Sequence, residues 1–85
     1  MKLTLLVTPN CKLCEDAKLN LKHAIESFNN ISYDEVDIST DDGLLEKYMI
    51  RVPVILHEDS VIQEGITDFF TIYEYIESVQ AWLYM

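Results

Sequence analysis

The stretch Lys2-Leu3-Thr4-Leu5-Leu6-Val7-Thr8-Pro9-Asn10-Cys11-Lys12-Leu13-Cys14 decides how this chain reads. Its first six residues form a nearly continuous apolar run, suited to a strand covered on both faces. Thr8 to Asn10 form a turn, and a helix pattern begins at about Lys12. Both cysteines of the chain therefore fall at a strand-to-helix junction. The placement has chemical consequences. A helix N-terminus carries unsatisfied backbone N–H groups and a partial positive charge, which favour a thiolate over a thiol. A second sulfur at i+3 lies one turn along the same side, within reach of a mixed disulfide formed at the first. The pair reads as a dithiol–disulfide redox site.

Working outward, the first helix is expected from Lys12 to Phe28 or Asn29, with Cys14, Ala17, Leu21, Ala24, Ile25 and Phe28 on one stripe. Ile31 to Ile38 contains a second strand whose Asp34, Glu35 and Asp37 mark it as a charged edge. Ser39 to Gly43 is a turn and helix-cap cluster, followed by a short helix from Leu44 to Tyr48. Proline inside Ile50-Arg51-Val52-Pro53-Val54-Ile55-Leu56 delays the third strand until after Pro53. Glu58-Asp59 is a tight turn to a fourth strand, Ser60–Gln63. Thr67 or Asp68 can cap a last helix, expected from Asp68 to Ala81, with Phe69, Ile72, Tyr73, Ile76 and Val79 inward. The order is β-α-β-α-β-β-α. It predicts an α/β domain spanning residues 1–85, with a right-handed crossover joining a parallel pair and a hairpin completing a four-stranded mixed sheet flanked by three helices.

Size and charge narrow the function. A chain of 85 residues buries only roughly 60–65% of its unfolded surface, so it supports a single small core. Fifteen acidic residues against six basic ones give a net charge of −9. That field repels nucleic acid and anionic membranes and steers in a partner with a basic face. The apolar run at the N-terminus is too short for an export signal or a membrane span. The expectation is a cytoplasmic monomer, where a cysteine pair is catalytic or metal-binding more often than a structural staple.

Taken together, these features resemble the glutaredoxin-like proteins of the thioredoxin-fold superfamily. The resemblance rests on the strand ending in Thr8-Pro9-Asn10-Cys11-Lys12-Leu13-Cys14, on Arg51-Val52-Pro53 entering the third strand, and on Glu64-Gly65-Ile66-Thr67-Asp68 opening the last helix. It also rests on the compact element order, and it covers essentially the whole chain. It implies a thioredoxin-like fold and thiol–disulfide exchange on protein or small-molecule disulfides. Cys11 would be the nucleophile and Cys14 the more buried resolving thiol. Pro53 matches a proline that is cis in the family, beside which the backbone of Val52 pairs with bound peptide or glutathione. Thr67 and Asp68 match residues that bind the γ-glutamyl end of glutathione. Lys12 and Leu13 border the same groove.

The sequence departs from the family's usual pattern in places. Lys12-Leu13 stands where Pro-Tyr or Pro-Phe is common, Thr8 where a Lys or Arg is frequent, and Glu64-Gly65 where two glycines are usual. An acidic Glu64 is unfavourable beside an anionic tripeptide. No tightly bound cofactor is expected, and glutathione is a candidate co-substrate. The Trp-Cys-Gly-Pro-Cys of thioredoxin is absent.

Two other classes remain open: a non-catalytic binding module of the same fold, and a metal or iron–sulfur carrier using Cys11. His23 and His57 are the only histidines. His23 lies roughly 18 Å down the helix from Cys11 by helical rise, so one molecule cannot bring it to the pair, and no metal site is expected. Lys12, next to Cys11, favours its thiolate, while Glu15 and Asp16 oppose it. Arg51 is either a surface charge or a holder of a substrate carboxylate, and Lys47 has a weaker version of the same role. Trp82-Leu83-Tyr84-Met85 serves packing or forms an apolar patch for a partner.

Overall fold

Strand β1 (Lys2–Val7) is central in a sheet of order β2-β1-β3-β4. The computed structural model describes residues 1–83, with backbone alone for Trp82 and Leu83. The patch suggested for Trp82 to Met85 thus lies outside the described residues. Strand β2 (Ser32–Asp37) runs parallel to β1, pairing Lys2 with Ser32 through Val7 with Asp37. Strand β3 (Val54–His57) runs antiparallel on the other side of β1, Leu6 opposite Val54. Strand β4 (Ser60–Glu64) closes the hairpin, with a register shift between Ile55 and Leu56. The turn residue Glu58 takes a positive φ of 57°.

The pleat of β1 divides the core. Leu3, Leu5 and Val7 face α1 (Lys12–Glu26) and α3 (Phe69–Leu83), meeting Ala17, Leu21, Ala24, Ile72 and Ile76. Leu6 faces the other way and packs with Ile38, Tyr48 and Val54 beneath α2 (Asp42–Tyr48). Because both faces of β1 are covered, its sequence is an unbroken apolar run rather than an alternation. The charged strand β2 lies at an edge, where Lys2 pairs with Asp34 at 3.1 Å and Lys18 with Glu35 at 3.0 Å.

The structure differs from the sequence expectation in several details, including β4 ending at Glu64 and α3 spanning Phe69–Leu83. Helix α1 stops at Glu26, not at Phe28 or Asn29, and its last turn tightens as the Phe28 N–H donates to the Ile25 carbonyl at 3.1 Å. Phe28 kept the apolar period because it reaches α3 from the turn, its ring centroid 5.1 Å from that of Tyr73. Helix α2 begins before Gly43, not after it, because Asp41 caps it by accepting the Leu44 N–H at 3.0 Å. Phe69, expected inward, is 39% exposed and stacks on Tyr73 at 5.5 Å. The buried stripe of α3 is narrower, Ile72 and Ile76, each fully buried. No described helix is long and apolar enough to cross a membrane.

Candidate functional site

At the carboxyl end of β1 the chain must reverse into α1 within four residues. Asn10 makes the reversal with φ 56°, a left-handed conformation that asparagine tolerates better than most residues. Cys11 follows as the N-cap of α1, extended at φ −113° and ψ 107°. Its Sγ accepts the Cys14 N–H at 3.1 Å, so the sulfur occupies the place that a serine or aspartate oxygen usually takes. Cys11 and Cys14 are joined as a disulfide, with Cα atoms 5.1 Å apart. The two sulfurs differ in access: Cys11 is half-buried, whereas Cys14 is 5% exposed and belongs to the core shared by α1 and α3.

Lys12 pairs along its own helix. Its Nζ lies 3.3 Å from Asp16 Oδ1, one turn further along, so much of its charge is offset before it reaches Cys11. Leu13 is 44% exposed beside the disulfide. A cavity of about 270 Å³ opens on the other side, shared by Cys11, Cys14, Glu15, Lys18 and Glu35. The hydrogen bond and charge of Glu35 hold the Lys18 ammonium above its ordinary pKa. A larger cleft, about 560 Å³, runs along α3 past Ile62, Tyr75 and Glu77 but contains no cysteine.

The next segment arrives through the sheet. With Leu6 opposite Val54, continuing the antiparallel register carries Val52 and Pro53 alongside the end of β1. The Val52–Pro53 peptide bond is cis. Val52 packs against both cores, and the one holding Cys14 also takes Cys11 at its margin. The Val52 N–H donates to the Tyr48 carbonyl at 3.1 Å. Arg51, just before it, donates through Nε to Glu64 at 2.9 Å, with Nη2 at 2.8 Å from the same oxygen. The guanidinium also lies 4.9 Å from the centre of the Tyr48 ring, and Lys47 Nζ is 5.2 Å from that centre.

The third segment leads into α3. The Gly65 N–H donates to the Pro53 carbonyl at 2.8 Å, fastening this loop to the proline. Gly65 has φ 71°, which a side chain would strain. Asn20 Nδ2 reaches across from α1 to the Thr67 carbonyl at 3.3 Å and Oγ1 at 3.2 Å. Asp68 caps α3, accepting the Thr71 N–H at 3.0 Å and the Gln63 amide at 2.9 Å. The Gln63 side chain, then the Thr71 side chain and N–H, hold the Asp68 carboxyl below its ordinary pKa. Thr67 and Asp68 therefore stand at this end of the molecule but are already engaged by protein groups.

Residues 2–82 match the family model described as "Glutaredoxin-like domain (DUF836)". The chain belongs to this glutaredoxin-like family. Among solved structures, the glutaredoxin-like domain is similar to a structural-genomics target protein, XcR50, from X. campestris. The identity is 25% and the TM-score 0.73, over 89% of this chain and 96% of that one. Two thioredoxins share the fold. A mutant thioredoxin from Halobacterium salinarum is 21% identical with a TM-score of 0.64, over 91% of this chain and 72% of that one. Thioredoxin 1 from Thermosipho africanus is 17% identical with a TM-score of 0.59, over 94% and 99%. No curated protein matches the sequence.

Sequence reasoning missed Asn20, Gln63 and the tie between Arg51 and Glu64. Asn20 and Thr67 are 47 residues apart, and a polar residue on a half-exposed helix face gives no local sign of such a partner. His57 Nδ1 lies 2.7 Å from the Tyr75 hydroxyl. His23 is exposed, 3.8 Å from Glu26. Among the described residues no group of three or more His, Cys, Asp or Glu could hold a metal ion.

Proposed function

We propose that this glutaredoxin-like domain is a thiol–disulfide oxidoreductase that reduces protein or small-molecule disulfides through Cys11 and Cys14. The observation that carries the reading is the asymmetry of the pair. A half-buried sulfur caps α1 where an incoming disulfide can meet it, and a buried sulfur one turn along is bonded to it. In the reduced protein, the Cys11 thiolate attacks a substrate sulfur R–S–S–R′. One new S–S bond forms, the substrate S–S bond breaks, and R′–S⁻ leaves to be protonated by water. Cys14 loses its proton to water in the adjoining cavity and attacks Cys11 Sγ, which expels R–S⁻ and closes the protein disulfide. Two electrons pass to the substrate, and two protons end on its thiols. An external thiol or dithiol, either glutathione or a flavin-dependent reductase, returns the protein to its reduced form.

The test uses the reduced protein and insulin as disulfide substrate. Cys11→Ser is expected to abolish reduction. Cys14→Ser is expected to accumulate a mixed disulfide on Cys11, seen as an added mass that dithiothreitol removes. Unchanged insulin reduction by Cys11→Ser would refute the proposal.

A further inference from the structure

Disulfide exchange leaves open which disulfides the site accepts, and the polar groups around it bear on that choice. Of the cations at this end of the molecule, three already have a carboxylate, while Lys47 lies against the Tyr48 ring with no ion pair among the described residues. Lys12 has Asp16 at 3.3 Å, Lys18 has Glu35 at 3.0 Å, and Arg51 has Glu64 at 2.8 Å. Three backbone donors are engaged as well. The Gly65 N–H points at Pro53, the Val52 N–H at Tyr48 and the Asp68 N–H at Gln63 Oε1. The start of α3, which could seat a ligand's carboxylate, already holds that of Asp68. The apolar side chains are left open. Leu13 is 44% exposed, Ile50 91%, Ile66 79% and Phe70 62%, all on the segments that carry Cys11, Pro53 and the start of α3.

Arg51 is the cation best placed to meet a substrate. It immediately precedes Val52, its guanidinium lies over the Tyr48 ring, and that planar group suits a carboxylate. Glu64 takes that role from within the protein, bridging the end of β4 to the segment before Pro53. We propose that Glu64 is a specificity-determining residue: by neutralising Arg51 it turns the site away from anionic disulfides. The favoured substrate is then a polypeptide disulfide flanked by apolar and basic residues. The net charge of −9 acts in the same direction at longer range. This inference rests on the disulfide exchange proposed above.

The experiment measures single-turnover oxidation of pre-reduced protein by three small disulfides of similar size and different charge. They are dithiodipropionate (anionic), bis(2-hydroxyethyl) disulfide (neutral) and cystamine (cationic). The wild type is expected to react fastest with cystamine and slowest with dithiodipropionate. Glu64→Gln keeps the shape and an acceptor for Arg51 while removing the charge. It is expected to raise the anionic-to-neutral rate ratio about fivefold at low salt, the effect of one unit charge near contact distance in water. The gain should disappear in roughly 0.5 M salt and in the double variant Glu64→Gln/Arg51→Met. Glu58→Gln removes the same charge at the β3–β4 turn and is expected to change the ratio by less than about twofold. A ratio for Glu64→Gln no greater than that for Glu58→Gln, or equal acceleration with all three disulfides, overturns the inference while leaving disulfide exchange standing. Failure of the reduced wild type to react with any of the three overturns the exchange reaction itself, and this inference with it.

Discussion

Asn20 is the side chain that ties α1 to the loop entering α3, and its contribution can be worked out from two distances. Its Nδ2 donates to the Thr67 carbonyl at 3.3 Å and to Thr67 Oγ1 at 3.2 Å. A neutral hydrogen bond contributes about 0.5–1.5 kcal/mol net, and long bonds lie near the low end of that range, about 0.5–0.75 kcal/mol each. Losing both in Asn20→Ala thus removes about 1–1.5 kcal/mol. Alanine, however, is the better helix residue by roughly 0.5–0.7 kcal/mol. The expected net loss is about 0.5–1 kcal/mol, with helix propensity masking nearly half of the tie. Thr67→Val removes only the Oγ1 bond, so a double-mutant cycle between Asn20→Ala and Thr67→Val cancels the helix term and isolates that bond at about 0.5 kcal/mol. Urea unfolding of the four proteins, read at a common m-value, gives the cycle. Asn20→Ala at or above wild-type stability, with a coupling below about 0.2 kcal/mol, would refute the reasoning. It would mean that the bridge is geometric coincidence and that the loop is held by Gly65 and Asp68 alone.

Other expectations follow from the same structure. Ile72→Ala, at a fully buried position on α3, should cost about 2–5 kcal/mol by chemical denaturation, a large part of the roughly 4–13 kcal/mol available to a chain of this length. Ile66→Ala, 79% exposed, should stay within about 0.5 kcal/mol of wild type in the same measurement. Tyr75→Phe keeps the ring packed edge-on to His57 but removes the hydroxyl 2.7 Å from Nδ1; it should cost about 1 kcal/mol and lower Tm by roughly 4–8 °C. Asp68 contributes stability above its unfolded pKa, near 3.8, and that contribution fades as pH falls through the lowered folded value. Asp68→Asn should therefore be less stable at neutral pH and show a shallower stability loss below about pH 4, checked by thermal melts across that range. Lys12→Met should change the alkylation rate of reduced Cys11 by iodoacetamide at pH 7 by less than about twofold, because Asp16 already occupies the ammonium.

The features legible in the sequence were those written in local pattern. The apolar run of β1 gave a central strand because a strand covered on both faces has no polar side to alternate with. Pro53 placed the start of β3 by removing an N–H that the ladder would need. The acidic residues of β2 marked a sheet edge, and Cys11-x-x-Cys14 marked the pair that is joined as a disulfide. What stayed hidden depended on who meets whom across the chain. Arg51 had two readings until Glu64 was found beside it, 13 residues away on another element. Phe28 lengthened the apparent helix because its contact with Tyr73 imitates a helical period. Phe69 continued the stripe of α3 in sequence, yet its position at the first turn leaves one side beyond the core. Gly43 read as a turn because its place inside a helix depends on the neighbouring Asp41 cap.

The distribution of charge also changes what activates Cys11. The sequence pointed to two sources, the adjacent Lys12 and the start of α1. Of the six basic residues, Lys2, Lys12, Lys18 and Arg51 each have a carboxylate within 3.3 Å. Paired charges at such separations look like dipoles from a distance, and solvent screens them further. The source that remains is backbone: the Cys14 N–H aimed at Cys11 Sγ at 3.1 Å, and the N-terminal end of a 15-residue helix. A helix N-terminus favours a negative group by about 0.3–2 kcal/mol, roughly two- to thirtyfold more thiolate at a given pH. Peptide dipoles neither titrate nor exchange partners when a charged substrate approaches. In the proposed exchange, activation of the Cys11 nucleophile would be set by the left-handed Asn10 and the extended Cys11 that aim the sulfur. Selection of the substrate is left to the side chains around it, and the two can be altered separately.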